Sequence, residues 1–281
     1  MIPRRKLSQI IEIQKMFKLK PDVLVEGVSD KYTVRRIFGG DWPFGVGIFA
    51  IDDIEIDCVE VDGVDGCRGR VIAVCGGLYQ QSGHVIGLVD RSFEEQTYVP
   101  PGDNIILTER ADIELDILDS GQFVENLSIY FCKDISDIWI KFALSVARQI
   151  HVIRMIGHSD GKSIALPIVA KSISLVGGEL FFDRPNFITK IAHKNGDYSY
   201  WMNIGNKVDK KMAEATELEP TYYVGFHVLE KVLAAVLGLK TNINKNKFVD
   251  DWLGSLLRMK PKENVLIEEP YTKLLLCIGP A

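Results

Sequence analysis

The sequence predicts an α/β fold, a parallel sheet flanked by helices, followed from about residue 126 by a mostly helical region. Three observations predict it. Short apolar runs at 23–25, 85–89 and 104–108 alternate with helix-periodic stretches, the signature of β–α–β units. Two of these runs end directly in an acid, Glu26 and Asp90, and open α/β sheets hold their ligands at the carboxyl ends of strands. Beyond residue 125 long helical periods take over, which divides the chain into 1–125 and 126–281.

In chain order, residues 6–18 read as a helix with Ile10, Ile11, Ile13 and Phe17 sharing a face. Val23-Leu24-Val25-Glu26 is a buried strand ending in a carboxylate. Gly27 permits the turn, and Ser29 or Asp30 caps a helix that continues over 31–38. Residues 39–43 break the pattern, and 54–61 alternate apolar and acidic residues with period two, which predicts a second strand. After a turn at 63–66, Val71, Ile72, Val74, Cys75, Leu78 and Tyr79 define a helix ending at Ser82-Gly83. Val85-Ile86-Gly87-Leu88-Val89 is apolar throughout and is expected to be a central strand buried on both faces. Residues 104–108 give a further strand, leading into an acidic helix with Asp112, Glu114 and Asp116. Long helices are expected over 138–155 and 225–239. The second is apolar around much of its circumference, as a core helix is, with a dimer seam as the alternative. Trp201 and Trp252 are expected as exposed contacts for a partner.

A hydrophobic fraction of 47% over 281 residues is ample for a core. The net charge of -5 excludes a chain coated in positive charge, so any nucleic-acid contact requires local basic patches. The cysteines (Cys58, Cys67, Cys75, Cys132 and Cys277) are odd in number and show neither C-x-x-C nor zinc spacing, which predicts reduced thiols and a cytoplasmic protein. No apolar run approaches the roughly 18 residues of a membrane span, so neither secretion nor insertion is expected. Gly157-His158-Ser159-Asp160-Gly161-Lys162-Ser163 has one residue too few between its glycines for a phosphate-cradling loop and follows a helix, so a helix-ending turn is expected. The scattered histidines form no catalytic grouping.

If the strands are neighbours, Glu26, Asp30, Asp90 and Glu114 converge on one sheet edge. Clustered carboxylates repel unless a cation separates them, and hard oxygen ligands suit Mg2+ or Mn2+. Such a metal polarises a phosphoryl oxygen and lowers the pKa of a bound water, while an acid outside its coordination sphere takes a proton. That is phosphodiester chemistry, with Glu26 and Asp90 as the expected catalytic residues. Asp112, Glu114 and Asp116 are alternatively a favoured helix start, and Glu94 a solvated loop charge. Lys31 and Arg91, beside Asp30 and Asp90 in sequence, are candidate substrate contacts. Lys190, Lys194, Lys207 and Lys210, interspersed with Tyr198, Tyr200 and Trp201, suit an RNA backbone with unpaired bases, as do Lys240, Lys245 and Lys247. Solvated loops account for such runs equally well.

Val25-Glu26-Gly27-Val28-Ser29-Asp30, Leu88-Val89-Asp90-Arg91-Ser92 and residues 108–114 together resemble the TOPRIM pattern of topoisomerases, primases and overcoming-lysogenization-defect nucleases, over roughly the first 125 residues. Within that group they are similar to the TOPRIM-like effectors encoded beside ABC-type ATPases in bacterial anti-phage defence, those of PARIS systems among them. The resemblance maps the family's first glutamate onto Glu26, its neighbouring acid onto Asp30, and the first Asp of its Asp-x-Asp onto Asp90. Ser92 stands where the second Asp would be, with Glu94 or Glu114 as substitutes. It implies a Mg2+- or Mn2+-dependent ribonuclease, held inactive by the ATPase and cleaving host tRNA on release. Separation of copies that act as a homodimer is the expected mode of restraint. The absent Asp keeps a second possibility open, a catalytically inactive module acting only through partner binding. Nucleotidyl transfer would require a nucleotide-binding element that the sequence does not show.

Overall fold

Arg5–Lys6 (β1) leads into α1, Leu7–Phe17, and then come β2, Asp22–Val25, and α2, Val28–Phe38. The chain continues through β3, Ile48–Ala50, β4, Ile54–Glu55, α3, Gly66–Ser82, β5, Val85–Val89, β6, Ile105–Leu107, and α4, Ile113–Asp116. After α5, Ser120–Phe131, and α6, Asp137–Ser159, a hairpin of β7, Ile173–Val176, and β8, Glu179–Phe182, precedes the remaining helices. These are α7, Arg184–Asn195, α8, Tyr198–Met202, α9, Gly205–Glu214, α10, Phe226–Thr241, α11, Trp252–Leu257, and α12, Glu269–Ile278. This computed structural model describes all residues apart from 1–4, 18–19, 39–42, 44, 57–63, 65, 83–84, 95–97, 117, 119, 215–220, 242, 244–247, 249–251, 258–268 and 279–281. Among the described residues, no helix is long and apolar enough to cross a membrane.

Two compact units result, Met1–Ile117 with Lys260–Ala281, and Leu118–Met259. In the first, β3-β2-β5-β6 form a parallel sheet in that order, with Val23 opposite Ile48 and Ile86, and Val89 opposite Leu107. The chain steps from β2 outward to β3, then returns across β2 to β5 and on to β6. A right-handed crossover in each direction puts helices on both faces. Leu24, Val85, Val89, Ile105 and Leu107 form one core with Leu7, Ile10 and Ile11 of α1 and Val71, Val74 and Cys75 of α3. The alternate residues Val23, Val25, Ile86, Leu88 and Ile106 are as deeply buried. Each such side chain contributes roughly 1.5–3 kcal/mol. α12 packs along β6, and its Tyr271 ring meets Phe38 of α2 edge-on at 6.3 Å between centroids.

Several local expectations change. Ile13 is 45% exposed, so the apolar face of α1 is narrower than its spacing suggests. The strand expected over 54–61 is Ile54–Glu55, pairing with β1 outside the main sheet, and 57–63 lie outside the described residues. The outer strand of the main sheet is instead Ile48–Ala50. The side chains of Phe17, Leu78 and Tyr79, and residues His84, Glu95, Lys245 and Lys247, also lie outside the described ones.

Among the described residues, the regular elements of the second unit are helices apart from the β7–β8 hairpin. α6 packs against α9 and α10, and Val228, Leu229, Val232, Leu233, Val236 and Leu237 of α10 are all buried, so this helix is core. Trp201 and Trp252, expected on the surface, are 1% and 2% exposed. Their rings are covered by packing partners, Tyr200 for the first and Phe131 and Phe248 for the second. Residues 157–163 end α6: Gly161 adopts φ +70, its N–H donates to His158 O, and Lys162 N–H donates to Gly157 O at 2.8 Å.

Candidate functional site

The chain reverses its direction across the sheet between β2 and β5, and their carboxyl ends therefore flank a topological switch point, the crevice where open α/β folds bind ligands. Glu26 leaves one side of that crevice and Asp90 the other. The Asp90 N–H donates to Glu26 Oε1 at 2.9 Å, and Asp90 Oδ1 accepts from Ile113 N at 2.9 Å, so the first turn of α4 is drawn to the same edge. Asp30 reaches back across the first turn of α2, accepting from Gly27 N at 2.7 Å through Oδ2 and from the Ser29 hydroxyl at 3.1 Å through Oδ1. This is one half of a capping box, so Asp30 both starts the helix and adds charge to the edge.

Electrostatically the group is larger than the sequence suggests. Burial, offset in part by the Asp90 N–H, pushes the Glu26 carboxyl up to about 7, and the neighbouring Asp30 and Asp112 carboxylates add to the rise. Asp90 is also raised well above the ordinary range, first by burial and then by Asp112, Asp30, Glu26 and Glu114. Asp112, which the sequence offers only as a helix-start charge, is thus a fifth member. Asp116 is not one: its carboxylate accepts from the Glu109 and Arg110 N–H groups and from the Tyr271 hydroxyl, a structural anchor.

One cation stands among these acids. Arg68, in the first turn of α3, donates through Nε to Asp90 O at 3.1 Å and through Nη1 to Glu94 Oε1 at 3.2 Å, while its buried Nη2 has no hydrogen-bond partner among the described residues. Arg68 therefore ties down the loop after β5 and draws Glu94 to itself. The signal for it is topological: α3 runs antiparallel to β5, so its first turn arrives at the strand's carboxyl end.

Of the remaining expected substrate contacts, all but Lys210 are engaged locally. Lys31 pairs with Asp53 at 2.6 Å, and Arg91 folds onto Thr108, its N–H donating to Oγ1 and its Nε to the carbonyl. Lys190 donates to Lys171 O and Ser172 Oγ, Lys194 to Leu166 O, and Lys207 to Asp160, which also accepts from the Tyr200 hydroxyl. Lys210 is exposed on α9. Ser92 sits in the left-handed region at φ 53, with its N–H on Ala111 O.

Among the described residues, no three His, Cys, Asp or Glu side chains stand ready-made as a metal-ligating set. The hydrogen bonds explain the arrangement, since each central carboxylate turns one oxygen to a backbone N–H. Glu26 Oε2 and Asp90 Oδ2 make no hydrogen bond among the described residues. Two open carboxylate oxygens amid five mutually repelling acids fit a hard divalent cation in donor chemistry and in charge. Compared with known proteins, the chain matches no protein-family model and no curated protein.

Proposed function

We propose that the chain is a metal-dependent nuclease of TOPRIM type, acting on RNA. The observation that carries this reading is the Asp90 N–H to Glu26 Oε1 contact at the switch point, with Asp30, Asp112 and Glu114 charged around it. Glu26, Asp90 and Asp30 would hold Mg2+ or Mn2+, with Glu114 beside them. When bound, the cation supplies Lewis-acid polarisation of a phosphoryl oxygen and a more acidic water. Without the cation, burial raises Glu26 to about 7, so binding a cation through Oε2 would release the proton held there. The Asp90 N–H fixes the rotamer of Glu26, and Arg68 fixes the loop that carries Asp90. The resemblance extends the reading to a defence effector that cleaves tRNA, is restrained as single copies by an ABC-type ATPase partner and acts as a homodimer on release. Mass measurement of the complex and of the released protein tests that restraint: homodimers within the complex would reject it.

A specific feature favours the second reading, a catalytically inactive module that works by partner binding: Ser92 stands where a further metal-binding Asp belongs, in a left-handed conformation. Glu26→Gln separates the two. The nuclease reading expects RNA cleavage and growth toxicity to be lost while folding and partner association persist; full toxicity from a folded Glu26→Gln protein rejects it.

A further inference from the structure

In the second unit Lys190, Lys194 and Lys207 each have a partner among their own neighbours, and a further cationic surface stands in the first unit, which also carries the acidic edge. α2 supplies it. The helix buries Asp30, Thr33, Val34, Ile37 and Phe38, and its solvent face carries Val28, Tyr32, Arg35 and Arg36. Val28, Tyr32 and Arg35 follow one another at helical spacing, about 10 Å from first to last along the axis. They begin one residue beyond the turn that holds Asp30 against Gly27. Tyr32 is 57% exposed, and among the described residues neither it nor Arg35 makes a hydrogen bond, ion pair or ring contact. The only acid on the helix is the buried Asp30.

We propose that this face of α2 receives an unpaired stretch of RNA, with Tyr32 stacking on a base and Arg35 meeting the backbone phosphate beside it. The proposal rests on the nuclease reading for the identity of the polymer. The bland account of arginines in a last helical turn is that they favour the helix dipole, by about 0.3–1 kcal/mol. It leaves an exposed tyrosine and valine between those arginines and the acidic edge unexplained. A protein partner would also use tyrosine and arginine. Charge decides for the polyanion: the helix's solvent face carries cations and no exposed acid of its own on a chain whose net charge is -5, the local exception that nucleic-acid binding requires. Stacking on one ring is tolerant of sequence, so the surface selects unpaired from paired RNA.

The test measures binding by fluorescence anisotropy, in EDTA so that no cleavage intervenes. The probes are a labelled stem-loop RNA and a fully paired duplex, and the proteins are wild type, Tyr32→Ala, Tyr32→Phe and Arg35→Ala. Tyr32→Ala is expected to weaken stem-loop binding about tenfold and leave duplex binding unchanged, and Tyr32→Phe to bind as wild type. Arg35→Ala is expected to lower the slope of log affinity against log salt by about 0.7. Equal stem-loop affinity of folded Tyr32→Ala and wild type, or no stem-loop binding by wild type, overturns the proposal. So does a Tyr32→Ala protein that keeps RNA but loses its ATPase partner. RNA binding that depends on Tyr32 without metal-dependent cleavage supports the surface while rejecting the nuclease reading.

Discussion

Glu26 makes the metal-free protein sensitive to pH in a direction opposite to that of an ordinary ion-paired carboxylate. Its pKa is near 7 when folded against 4.5 ordinarily, so between those values the folded state binds more protons than the unfolded one. Stability then falls as pH rises through that window and stays reduced above it. In EDTA, urea midpoints are expected to drop between pH 5 and pH 8, and Glu26→Gln to flatten the drop; a wild-type midpoint that rises more steeply than the variant's rejects the assignment. Glu26 and Asp90 were legible because each directly ends an apolar run. Asp112 and Arg68 were not, since a charge at a helix start acquires its neighbours only when the crossovers are built. For Lys190 and Lys194 the sequence shows the charge but not the carbonyl each reaches.

At the scale of elements, β5 and α3 approach closely at Gly87. A Cβ there would lie 3.0 Å from Cys75 Sγ and 3.2 Å from Val71 Cγ1. Gly87→Ala is therefore expected to destabilise by about 1–3 kcal/mol through overpacking. Burial pushes the Cys75 thiol up, so it acts as a packing group. Adding Cys75→Ala to Gly87→Ala should recover part of the loss, and strictly additive free energies in that double-mutant cycle would refute the contact. The continuous apolar run made β5 readable, whereas three-residue β3 is too short for period two to register. The β7–β8 hairpin did carry a signal: Gly177-Gly178, both at positive φ, is a two-residue turn between strand-like segments.

Over the whole molecule, the acidic edge links ligand and stability. Millimolar Mg2+ is expected to raise the melting temperature by mass action, more at pH 8 than at pH 5.5, and Asp90→Asn to reduce the gain; no shift at either pH counts against the site. The first unit also depends on a helix remote in sequence, because Tyr271 lies fully buried with its hydroxyl 3.1 Å from Asp116. Tyr271→Phe is expected to lower stability by about 1–2 kcal/mol in urea denaturation, with the backbone N–H partners of Asp116 retained. An unchanged midpoint would show that bond to be idle. Sequence placed one division near residue 125; the two compact units are 1–117 with 260–281, and 118–259. An amphipathic helix announces that it has an apolar face, not which sheet that face covers.

The return of α12 to β6 and Phe38 has a consequence for biosynthesis. A ribosome releases the sheet and its acids early, but the helix that packs along β6 emerges only after all of 118–259 has been translated, on the order of ten seconds later. During that interval the nascent chain carries the acidic crevice on an unclosed core. Completion of the first unit's core is thereby timed to follow synthesis of the entire intervening unit.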